Sequence, residues 1–91
     1  MQMLTKQNEK DLGKKVIKFF TPWSNWSWYV TEGEKESNGD WLFFGLVEGF
    51  EKEWGSFRLS ELTSVTGPMG LKIERDRWFD TPVTEFSTDN I

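Results

Sequence analysis

Cysteine and histidine are both absent from this 91-residue chain. Without cysteine there is neither a disulfide framework nor a thiolate metal site, so the fold must hold by packing alone. Without histidine the commonest general base and metal ligand are missing, and with them every Ser/His or Cys/His catalytic pair. Long hydrophobic runs are lacking as well: no stretch approaches the roughly 20 apolar residues of a membrane span, and the opening MQMLTKQNEK has no signal-peptide core. These absences point away from an enzyme and from any cofactor or metal. They point toward a cytoplasmic chain, one domain in size, with a single modest core and a binding task.

The net charge of −4 is unevenly spread. Residues 1 to 20 carry five lysines (Lys6, Lys10, Lys14, Lys15, Lys18) against Glu9 and Asp11, whereas residues 21 to 91 carry six basic and thirteen acidic groups. An acidic body repels nucleic-acid phosphates and suits a partner that is itself basic, so direct nucleic-acid binding is not expected. The N-terminal lysines lack an interleaved aromatic module and read as a solvated face.

What is abundant is aromatic. The stretch from Phe19 to Phe57 holds five of the six tryptophans, the only tyrosine and six of the eight phenylalanines, in an alternation that a sheet requires. The fold expected is α+β: mainly an antiparallel, twisted β-sheet of four to five strands, with a short N-terminal helix and one short helix after the fourth strand. Residues 1–13 form a loosely attached helix that Thr5 caps and Gly13 ends, residues 14–79 the sheet core, and residues 80–91 an irregular tail, its end FSTDNI frayed. Strands are expected over residues 14–20, on both sides of an Asn38-Gly39 turn, from Ser56 after a turn at residues 51–55, and over 71–76.

Asn-Gly is the preferred centre of a two-residue type I′ hairpin turn. That turn would place Glu36 opposite Trp41, Glu34 opposite Phe43, Glu32 opposite Gly45, Val30 opposite Val47 and Trp28 over Gly49. One face would then carry Trp26, Trp28, Val30, Trp41, Phe43 and Val47, with Glu32, Glu34 and Glu36 alternating along one strand edge near the hairpin tip. The other would carry Tyr29, Thr31, Leu42, Phe44, Leu46 and Phe50. Both faces are apolar, so cover is expected on each.

Three segments, KFFTPWSNWSWYVTE, WLFFGLVEGFEKEWGSFRLSEL and GPMGLKIERDRWF, together resemble a small uncharacterised family, the domain of unknown function 2958. The likeness spans about residues 18 to 79 and rests on specific tryptophan and glycine spacings, from the Phe19-Phe20-Thr21-Pro22-Trp23 turn to the Ile73-Glu74-Arg75-Asp76 close; the N-terminal section is shorter than the family's. The resemblance implies a gene carried by phages, plasmids or other mobile elements. It implies no activity.

The leading functional reading is therefore a small, acidic, non-enzymatic protein of a mobile element that binds a protein partner. Its most specific form is an inhibitor of a host defence system such as a CRISPR nuclease. The contact candidates are the acidic hairpin residues Glu32, Glu34, Glu36 and Asp40, with Trp54 and with Trp23, which stands in a turn beside Pro22. An alternative from another class is a binder of a nucleotide or aromatic metabolite, with Trp23, Asn25, Trp26, Trp28 and Trp41 lining its pocket. A third is a homodimer that hides aromatic surface at a two-fold interface. The carboxylates Glu32, Glu34, Glu36, Glu51, Glu53, Glu74 and Asp76 match neither a metal loop nor an acid/base pair. Arg75 is expected to pair with a carboxylate such as Glu32 or Glu61.

Overall fold

Thr5 and Asn8 form a reciprocal cap, each side chain accepting the other's backbone N–H (3.1 and 3.0 Å), and so start α1, Lys6–Asp11, in the computed structural model, which describes residues 3–88. The β-branched and aromatic residues that follow make β1 (Ile17–Phe20), β2 (Ser27–Lys35), β3 (Trp41–Glu48) and β4 (Lys52–Arg58); α2 (Leu59–Ser64) comes next, and β5 (Glu74–Arg75) is a two-residue strand. All pairings are antiparallel, and the sheet order is β4-β3-β2-β1-β5. This is the expected α+β architecture, with both short helices in place.

The strand after the second turn begins four residues earlier than the sequence implies. Glu48 already pairs with Lys52, so the turn is only Gly49-Phe50-Glu51, and Gly55 does not interrupt the ladder because it lies opposite Gly45. The expected helix after this strand starts at Leu59, as α2, where Glu61 Oε1 accepts the Arg58 N–H (3.3 Å) and the Asp40 carboxylate accepts the Ser60 N–H (3.1 Å).

The β2–β3 register also differs from the type I′ expectation. Glu36 C=O accepts the Gly39 N–H and Glu36 N–H donates to Asp40 C=O, while only Gly39 of the turn takes a positive φ (+89°). That is a three-residue loop, and it pairs Lys35 with Trp41 rather than Glu36 with Trp41. A second slip follows at Thr31, where a bulge leaves Val30 opposite Gly45 but Glu32 opposite Phe44. Trp28 consequently pairs with Val47, and the ring that covers Gly49 belongs to Trp26.

Each face has its own cover. On one, Phe19, Val30, Phe43 and Phe57 are buried under Leu4 of the N-terminal segment, Leu62 of α2 and Ile73, with Phe43 ringed by Phe19, Trp41 and Phe57 at centroid distances of 5.9–6.4 Å. Burying each such side chain contributes about 1.5–3 kcal/mol. On the other, Val16, Tyr29 and Leu46 lie under Phe79, Val83 and Phe86 of the C-terminal segment. That segment is irregular, as expected, but it is held: Val16 N–H donates to Thr81 C=O and Val83 N–H to Lys14 C=O, and Phe86 lies 5.4 Å from the Tyr29 ring. Of the end expected to fray, Phe86 packs on Tyr29 and Thr88 C=O accepts from Lys52 Nζ (3.4 Å), while the last three residues lie outside the described ones. Val65, at the end of α2, is partly exposed, and Leu62 alone of that helix is buried.

Candidate functional site

The bulge at Thr31 shapes the hairpin end of the second sheet face. Thr31 Oγ1 donates to Phe44 C=O (3.1 Å), and the Tyr29 carbonyl presses onto Gly45, where a Cβ would stand 1.8 Å from its oxygen. Beyond the bulge the alternation is reversed. Gly33 and Lys35 share the face of Phe43 and Trp41, while Glu32 and Glu34 point to the other face beside Phe44 and Leu42. The acidic residues thus leave the tryptophan face on which simple alternation puts them and join the second face, at the hairpin end, past the Phe86 ring of the C-terminal segment.

There Phe44 and Trp54 stack at 5.9 Å and 20°, and Phe86 meets Trp54 edge-on at 6.1 Å. Phe44 is 41 % and Trp54 47 % exposed. Glu32, Glu34, Leu42, Phe44 and Ser56 line a shallow cavity of about 330 Å³ next to them. Neither Glu32 nor Glu34 is paired with a cation among the described residues. A stacked aromatic pair rimmed by free carboxylates can hold an apolar or aromatic side chain at its centre and basic groups at its edge.

The other expected contact residues take different places. The Glu36 carboxylate clasps Arg58 through both oxygens (2.8 and 3.2 Å), and this bond raises the guanidinium's pKa. Asp40 accepts from Ser60 Oγ (2.6 Å) and from the N–H groups of Ser60 and Trp41. The Ser60 hydroxyl, chiefly, holds the Asp40 carboxyl below its ordinary range, against a smaller opposing effect of desolvation. Both residues therefore tie the hairpin to the start of α2. Trp23 is half-buried on the core, its ring against Gly67. Trp28 and Trp41 pack on the same core, whereas Asn25 and Trp26 share a cavity of about 390 Å³ with Lys18 and Glu48. Trp26 also stacks on Trp28 at 6.1 Å.

Arg75 does not meet Glu32 or Glu61. β5 lies at the far edge beside β1, so Arg75 faces Asn8, Asp11 and Asp80 across a cavity of about 230 Å³, its buried Nε without a hydrogen-bond partner among the described residues. Of the N-terminal lysines, Lys15 pairs with Asp80 and Lys18 with Asp76, the latter also lying over the Tyr29 and Phe79 rings. Among the described residues no group of three His, Cys, Asp or Glu converges as a metal site requires, and no helix is long and apolar enough to cross a membrane.

Leu42, Phe44 and Ser56 were not singled out by sequence reasoning, because their exposure depends on the bulge. The signal available was Gly45, a glycine inside an apolar strand, which marks close backbone approach.

Fold and site together define a small α+β domain whose antiparallel sheet has a hydrophobic cover on each face and an acid-rimmed aromatic end on the second. The chain belongs to the family of proteins of unknown function DUF2958, which it matches over residues 1–88. No curated protein and no solved structure matches it.

Proposed function

We propose that this chain is a non-enzymatic binding domain that docks a basic protein surface on the open end of its second sheet face. The observation that carries this reading is the Phe44–Trp54 stack, left 41 % and 47 % exposed, with the unpaired carboxylates of Glu32 and Glu34 on the β2 side of Phe44. Aromatic pairs of this size gain most from being covered, and tryptophan is enriched among residues that dominate binding energy. The carboxylates select the sign of the partner and speed its approach, and the net charge of −4 acts in the same direction.

Proteins that handle nucleic acid carry basic surfaces of the required kind. The setting that the family resemblance implies, a phage or plasmid gene, makes a host defence nuclease the specific partner we propose within that class. The test is affinity capture by the tagged chain from nuclease-treated lysate of a natural host, beside the Glu32→Lys/Glu34→Lys and Trp54→Ala variants. One stoichiometric protein, held by the unsubstituted chain, released by added salt and lost with either variant, is the expected result. Identical capture by all three forms, or none by any, would overturn the reading.

A further inference from the structure

The opposite face, at the turn between β3 and β4, holds a second arrangement that folding does not explain. Phe50 stands at the apex of the three-residue turn and is 96 % exposed. Its ring meets that of Trp26 at 5.5 Å and 81°, so the two form the walls of a right-angled corner. Trp26 is fixed in place by Gly49: a Cβ there would lie 2.3 Å from the indole, so the ring rests directly on the strand backbone. Val47 forms the floor, Glu51 and Glu53 complete the lining, and the corner encloses about 320 Å³. Neither carboxylate has a basic partner among the described residues; the neighbouring Lys52 reaches Glu48 and Thr88 C=O instead.

We propose that this corner is a receptor site for a basic side chain, lysine or arginine, of a protein partner. Aromatic faces attract a cation through their quadrupole, and two carboxylates beside them supply both charge and hydrogen-bond acceptors. A quaternary ammonium would use the rings but not the acceptors, since it has no N–H to donate. A lysine ammonium or an arginine guanidinium uses both, and its aliphatic stem covers Val47 and the indole. The site is separate from the Phe44–Trp54 end, so each can succeed or fail alone.

The experiment is an NMR titration of the whole chain with Nα-acetyl-lysine methylamide and its arginine counterpart, set against uncharged Nα-acetyl-norleucine methylamide and tetramethylammonium. The two basic probes should shift the Trp26 indole N–H and the Phe50 and Glu53 amides in a saturable way, with dissociation constants in the millimolar range. Phe50→Ala, a change at a solvent-exposed ring, should weaken binding by about two- to fivefold. Glu51→Gln/Glu53→Gln should weaken it and remove its salt dependence. The proposal is overturned if norleucine shifts the same signals equally, if tetramethylammonium binds at least as tightly as the lysine probe, or if no probe moves them.

Discussion

Three residues show how much of this surface depends on single atoms. Gly45 admits the Tyr29 carbonyl that closes the bulge, and Gly49 admits the Trp26 ring; at Gly55, opposite Gly45, an added Cβ meets open space. Gly45→Ala should cost about 3 kcal/mol or more in urea denaturation, because backbone rather than a flexible side chain must give way. Gly55→Ala should be neutral or slightly stabilising. Gly49→Ala should lift Trp26 off the strand and change the tryptophan emission without unfolding the chain. Asp40 adds a pH dependence at the same scale. Its folded-state pKa lies below the ordinary 3.8, so its contribution is fully present above that value and is lost as pH falls through the lower folded value. Melting temperature followed from about pH 5 down to about pH 2 should fall less steeply in Asp40→Asn than in the unsubstituted chain.

At the level of elements, the C-terminal segment is the cover of the second sheet face even though it forms no long strand. Phe86→Ala should cost about 2–4 kcal/mol by equilibrium unfolding, since it strips the Tyr29 ring and one side of Trp54. A cost within about 0.5 kcal/mol, the range typical of an exposed substitution, would show that the segment does not cover the core. This element also marks the limit of what the sequence discloses. Strand number, both helices, the Thr5 cap and the two apolar faces follow from periodicity and capping residues, which act over a few positions. The covering role of Phe79, Val83 and Phe86 is set by tertiary packing and leaves no local pattern. The site was legible only in part: Glu32, Glu34 and Trp54 were identifiable from charge and aromaticity, but their meeting with Phe44 required two one-residue slips in β2–β3. One arises because Asn38-Gly39 sits in a three-residue loop, the other because Thr31 bulges. A shift of one residue exchanges faces, so a correct list of strands still misplaced the acids.

On the scale of the whole molecule, one five-stranded sheet carries two acid-bordered aromatic sites on opposite faces. One, at the hairpin end, is proposed to dock a basic protein surface, and the other, at the β3–β4 turn, to hold a basic side chain. Binding at the hairpin end should weaken as salt rises, and Glu32→Lys/Glu34→Lys should slow association more than it speeds dissociation, whereas Trp54→Ala should act mainly on dissociation. The most direct test of the docking surface is fluorine NMR of chain labelled with 5-fluorotryptophan, titrated with the captured partner; the six tryptophans give six lines, and Trp54→Phe assigns the one of interest. The Trp54 line should shift on saturation while those of Trp23 and Trp41, packed on the core of the other face, stay in place. A Trp54 line unmoved by saturating partner would contradict docking at this surface.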